Sequence, residues 1–288
     1  MDVIEAELDA VCDGLPFEVR WCLRDLRSGQ TWDRLGSVSG WSASTRKVSV
    51  LMAALSLASR GVLDLDQPVT YTAELKEGVR SGTFRYMTPG FSFPLRDALG
   101  QMMVTSDNVC TALVFGALGG SPEESVQAVN DYCQSIGLRD TVHRHIFPDT
   151  SLIPWYHSNE VMTTTTAADQ ARLLSRIVDG AREPRSAAEL ACSAELCAYA
   201  LTLMSREHDE QMTRLLPART HGATKGGRGI RGRSHVGVIY ADGTPRFALA
   251  VFTDWVPVTL LDGTPGTVHA LSAISTLARR AWDVLADA

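Results

Sequence analysis

The hydrophobic period changes twice along this chain, and that limits the folds open to it. Residues 17–26, FEVRWCLRDL, and the later TWDRLG read as two strands about an RSGQ turn. From Val48 to Ser59 every residue is apolar or small and none is charged, the pattern of a buried helix rather than a surface one. Ser42 or Ser44 is expected to cap that helix and Gly61 to end it. Helical spacing recurs at 95–105, 123–137 and 167–180. From about residue 218 the period returns to two: SHVGVIYADG and TPRFALAVFTDW predict a hairpin about Asp242-Gly243, and 269–286 predicts a closing helix. Strands from both chain ends with helices between them imply an α/β (α+β) chain. Its antiparallel sheet, flanked by helices, takes residues 1–40 and 200–288; an all-helical domain, 41–199, is inserted.

Length and charge bound the function. The chain has 288 residues, enough for a sizeable core, and a formal net charge of −6, which is no footprint for nucleic acid. No run approaches the roughly 20 apolar residues that span a bilayer. The opening MDVIEAELDAVCDG lacks the basic-then-apolar layout of an export signal, so a cytoplasmic protein with no membrane partner is expected, monomeric by default. Cys12, Cys22, Cys110, Cys133, Cys192 and Cys197 form no CxxC pair and read as buried thiols. His143 and His145 form an HxH without a companion cluster and read as ordinary histidines; no metal or cofactor is expected, and the partner is a small-molecule substrate.

The cations are 24 arginines and three lysines, Lys47, Lys76 and Lys225. A chain that uses arginine wherever a positive charge suffices draws notice to its lysines, because a desolvated lysine can give up its proton and act as a base. Lys76 lies in a polar stretch. Lys47 stands three residues after Ser44 at the head of the uncharged helix, and residues i and i+3 share a helix face. An amine stripped of water beside a hydroxyl can take its proton and make Ser44 a nucleophile.

SxxK alone is a weak signal. Ser106-Asp107-Asn108 and Lys225-Gly226-Gly227 follow it in the order SxxK, SDN, KTG. With these triplets, and with ASTRKVSVLMAAL, RSGTFRYMTPGFSFPLRDALGQMMVTSDN, TTTTAADQARLL and ATKGG…SHVGVIY…PRFALAVFTDW, the chain resembles the class A β-lactamases and penicillin-binding proteins from about residue 17 to its end. The resemblance implies a serine hydrolase working through an acyl-serine. Ser44 would be the nucleophile, Lys47 its base or part of the relay, and Ser106 would pass a proton to the leaving nitrogen or oxygen. Asn108 would hold Lys47, and Lys225 would supply positive potential. The oxyanion hole would be the backbone N–H groups of Ser44 and Arg228, with Gly226, Gly227 and Arg228 lining the substrate.

Three departures qualify the implied chemistry. The third motif is KGG, so a hydroxyl that would help bind a substrate carboxylate is missing; either Arg228 grips that carboxylate instead or the substrate lacks one. The family's omega-loop glutamate has Asp149 as its nearest match, shorter by one methylene, and an Asx-turn role for Asp149 stands beside the catalytic one. Candidates for another base nearby are His143, His145, Tyr156 and His157. The third departure is the absent export signal. The readings are therefore hydrolysis of a β-lactam or related amide or ester, an intracellular esterase or transacylase of a biosynthetic pathway, and a penicillin-binding sensor that acylates without turnover. No GxSxG occurs to support a Ser-His-Asp hydrolase.

Overall fold

A computed structural model of the chain describes residues 3–79, 81–148 and 152–285. In chain order, α1 (Val3–Cys12), β1 (Glu18–Asp25), β2 (Thr31–Arg34) and β3 (Gly40–Trp41) lead through a 3₁₀ turn, Ala43–Arg46, into α2 (Lys47–Ser59). Then come β4 (Pro68–Tyr71), α3 (Ala73–Lys76), β5 (Phe91–Pro94), α4 (Leu95–Val104), α5 (Asn108–Gly116) and α6 (Pro122–Ser135). After them follow β6 (Thr164–Thr165), α7 (Ala167–Arg182), α8 (Pro184–Glu189) and α9 (Ala194–Met204). The chain closes with β7 (His221–Arg228), β8 (Arg233–Ala241), β9 (Thr244–Asp254) and α10 (Gly266–Leu285). By compactness the chain divides into a sheet unit, Met1–Thr45 with Asp149–Ser175 and Asp209–Ala288, and a helical unit, Arg46–Pro148 with Arg176–His208.

In the sheet unit, five strands run antiparallel in the order β2-β1-β9-β8-β7, so both chain ends build one sheet and β7 is an edge. Side chains alternate faces along a strand. Trp21 opposite Val251, Leu23 opposite Leu249 and Ile239 opposite Phe247 therefore stack on one face. Leu8 of α1 and Ala270, Ile274, Leu277 and Ala281 of α10 complete that core. Each fully buried large apolar side chain contributes about 1.5–3 kcal/mol. The β8–β9 hairpin turns on Asp242 (φ 50°) and Gly243 (φ 75°), the two positive φ values a type I′ turn needs. A short ribbon pairs Gly40 with Thr165 and Trp41 with Thr164, and just beyond it Ser42 is tied to the Thr163 carbonyl by its N–H (3.0 Å) and Oγ (2.9 Å).

In the helical unit, α2 is buried from Lys47 through Ser56, as its uncharged sequence requires. The expected capping of α2 by Ser42 or Ser44 does not occur. The chain enters through the 3₁₀ turn, both serines fall upstream, and the N-cap is Arg46 with no side-chain cap. Arg46 is instead locked by hydrogen bonds to the carbonyls of His145 and Ile146 and by the rings of Phe115 and Phe147. Asp107 caps α5, its Oδ1 accepting from the Cys110 N–H at 3.0 Å. The β4–β5 hairpin gathers Tyr71, Phe84, Phe91 and Phe93 into an aromatic cluster. All six cysteines are buried and none is in a disulfide; burial raises the Cys12 thiol to about 11 and the Cys22 thiol to about 12. Among the described residues no helix is long and apolar enough to cross a membrane.

Candidate active site

The helical unit brings together Lys47, Ser106 and Asn108. Lys47 is the first residue of α2 and only 1% exposed. Its Nζ donates to the Ser106 carbonyl (2.8 Å), to Ser106 Oγ (3.1 Å) and to Asn108 Oδ1 (2.9 Å). Ser106 presents both oxygens because its backbone is in the left-handed region, φ 55°, a conformation that costs a non-glycine residue about 1–2 kcal/mol. The neighbouring fold holds it there. The Ser106 carbonyl also accepts from Ser81 Oγ at 3.1 Å, and Asp107, fully buried, accepts from the N–H groups of Cys110 and Phe84. The middle residue of SDN is thus a cap and staple, and the outer two face the lysine.

The sheet unit holds Ser44, Lys225, Gly226, Gly227 and Arg228. Ser44 sits in the 3₁₀ turn directly after Ala43, whose φ is 46°. Here, as at Ser106, a non-glycine residue is held in a sparsely populated conformation beside a candidate catalytic group. Strand β7 packs on this turn: a Cβ on Gly227 would lie 3.2 Å from the Ser44 nitrogen, 3.2 Å from Ala43 Cβ and 2.4 Å from Ser234 Oγ. Glycine at 227 is therefore what lets the backbone of β7 approach the Ser44 N–H. Lys225 is 1% exposed, and its Nζ donates to the Gly226 carbonyl at 3.3 Å. Gly226 and Arg228 fall on the opposite strand face from Lys225 and Gly227. The Arg228 side chain is 79% exposed, and its Nη2 lies 3.7 Å from Asp209 Oδ2.

Sequence reasoning missed three residues here. Ser234 lies directly opposite Gly227 in the β7–β8 register. Asp209 precedes β7 by a dozen positions and carries no motif. Arg231 is buried against Asp254 (2.6 Å) and the His157 carbonyl (2.7 Å), with its guanidinium carbon 3.6 Å from the Trp255 ring centre. A basic residue flanked by aromatic and acidic partners far along the chain leaves no local periodic signal.

Of the other candidate bases, His143 and His157 have structural partners. His143 is buried, its Nε2 lies 3.0 Å from Ser49 Oγ, and its main chain is clamped by Asn130. Burial, then the charges of Arg46 and His145, hold its imidazole well below the usual histidine value. His145 is lowered as well, by burial first and then by Arg46 and Arg144. His157 is buried edge-on to Trp41, and Tyr156 is 75% exposed. Asp149 lies outside the described residues.

Residues 3–285 match the profile of the β-lactamase enzyme family. A β-lactamase from Sphaerobacter thermophilus is 22% identical over 98% of this chain and 96% of its own, with a TM-score of 0.78. PBP-A is 19% identical over 98% and 95%, with a TM-score of 0.80, and an ancestral class A β-lactamase is 18% identical over 98% and 99%, also at 0.80. These likenesses establish the fold as that of class A β-lactamases and PBP-A. None of the curated proteins matches the chain. The chain belongs to the β-lactamase enzyme family, and so is a hydrolase of the β-lactamase type.

Proposed function

We propose that the protein forms an acyl-enzyme on Ser44 from a cyclic amide, amide or ester substrate, with Lys47 as the base. The observation that carries this reading is the burial of Lys47 with its Nζ bound to Ser106 Oγ, Ser106 O and Asn108 Oδ1. A neutral amine can satisfy this site, its two N–H groups donating to the Ser106 carbonyl and Asn108 Oδ1 while its lone pair accepts from a serine hydroxyl. In the step, the Ser44 hydroxyl proton passes to Lys47 as Ser44 Oγ bonds to the carbonyl carbon. The carbonyl oxygen becomes an oxyanion on the N–H groups of Ser44 and Arg228. The bond to the leaving nitrogen or oxygen then breaks, and the leaving group takes a proton through Ser106. Water attacking the ester completes hydrolysis. The contact geometry of Gly227 supports the oxyanion assignment, since it leaves room for β7 against the Ser44 N–H. A PBP-A variant captured as an acyl-enzyme complex with penicillin G, 20% identical over 96% of this chain with a TM-score of 0.77, supports the class of intermediate.

Intact mass after incubation with a penicillin and with an activated aryl ester tests this. Wild type is expected to show an adduct or product release, Ser44→Ala neither. Lys47→Arg is expected to be about 10²–10⁴ slower. An adduct that persists in Ser44→Ala, or wild-type speed in Lys47→Arg, refutes the assignment.

A further inference from the structure

Resting on the acyl-enzyme reading above, the structure assigns Asp209 as the residue that sets charge selectivity at the third motif, against substrates carrying a carboxylate there. Position 226 is where the triplet would bear a side chain. A Cβ on Gly226 would meet Asp209 Oδ2 at 2.7 Å, Cγ at 3.1 Å and Cβ at 3.4 Å. The aspartate side chain thus fills the space that a residue at 226 would use. A carboxylate stands in place of a hydroxyl, an acceptor in place of a donor.

Its position is supported on two sides. Oδ1 accepts from the Gln211 N–H at 3.4 Å, and Oδ2 lies 3.7 Å from Arg228 Nη2. Arg228 is the cation that would otherwise grip a substrate carboxylate beside β7, and Asp209 already engages it. An incoming carboxylate meets a like charge 3.7 Å from the guanidinium it would pair with. A neutral or ammonium-bearing group meets no such repulsion. The substrate class that follows is an acyl donor whose leaving group carries no carboxylate.

Three aryl esters of one acyl group test this, their phenol leaving groups bearing a carboxylate, a carboxamide or an aminomethyl substituent. Release of phenol is followed, each rate divided by that ester's hydroxide rate. Acylation bonds Ser44 Oγ to the acyl carbon, breaks the bond from that carbon to the phenol oxygen and sends the serine proton out with the phenol. Wild type is expected to favour the carboxamide and aminomethyl esters over the carboxylate ester by roughly three- to tenfold, the size of one partly exposed charge interaction. Asp209→Asn, which keeps the acceptor for Gln211, is expected to speed the carboxylate ester by the same factor and leave the carboxamide ester nearly unchanged. The double variant Asp209→Ala with Gly226→Thr, which restores a hydroxyl, is expected to prefer the carboxylate ester. A wild type that prefers the carboxylate ester, or an Asp209→Asn rate change equal for all three, overturns the assignment of Asp209 while leaving the acyl-enzyme intact. Phenol release no faster than that of Ser44→Ala overturns the acyl-enzyme reading and this assignment with it.

Discussion

Gly227→Ala is the substitution whose cost can be worked most closely from the geometry. The new methyl would stand 2.4 Å from Ser234 Oγ, 3.2 Å from Ala43 Cβ and 3.2 Å from the Ser44 nitrogen. The first contact can be relieved, because Ser234 can turn its hydroxyl away at the expense of its long bond (3.5 Å) to the Ser42 carbonyl. The other two are with the 3₁₀ turn itself, anchored by Ser42 to Thr163, so β7 and the turn must part by a few tenths of an ångström. Overpacking of this kind costs about 1–3 kcal/mol in stability. The rate should suffer more. Losing an oxyanion donor costs about 10²–10³ and a 1 Å misplacement about 10², so a partial shift predicts a fall of about 10- to 100-fold in acylation. Urea unfolding gives the stability and burst-phase phenol release gives the rate. Adding Ser234→Gly removes the 2.4 Å contact and should recover most of the stability while the rate stays low. Recovery of the wild-type rate in that double variant would refute the argument, because the strain would then lie with Ser234 and not with the Ser44 N–H.

Two further outcomes are expected. Arg231→Ala should lose about 1–3 kcal/mol, since Asp254 would stay buried without its nearest cation, keeping only the Trp255 N–H (2.8 Å), Asn159 Nδ2 (3.4 Å) and the more distant Arg20 (3.7 Å), and Arg231→Lys should restore less than half of it. A urea midpoint within error of wild type for Arg231→Ala would rule this out. His143 supplies a pH effect of definite sign. Its folded-state value is depressed below 6.5, so below about pH 6.5 the unfolded chain binds a proton the folded chain does not. Stability should therefore be full above that pH and fall by up to about 1.4 kcal/mol per unit below it. His143→Asn should remove this component, and an unchanged slope in urea unfolding between pH 5 and 7 would sink the attribution.

The register of legible features follows from how far each one reaches along the chain. The period-two segments at both ends and the uncharged helix between them are local patterns, so the sheet, α2 and the β8–β9 turn could be read directly. α1 and the β3–β6 ribbon escaped, the first because its ten residues mix acidic and apolar positions. The second escaped because two-residue strands carry no periodicity. SxxK, SDN and KGG named the candidate residues, yet nothing in SDN itself separates a caping aspartate from two residues that face a lysine; the positive φ of Ser106 decides that.

The residue types and their order determined the class of fold and the choice of a lysine over an arginine at the head of α2, because burial patterns and proton affinity are properties of short segments. Tertiary structure alone decided that an aspartate from outside any motif fills the space above Gly226, that Ser234 sits against Gly227, and that Arg231 is folded between Asp254 and Trp255. Those are contacts between positions distant in the chain, and strand pairing and close packing, not spacing along the sequence, bring them within reach.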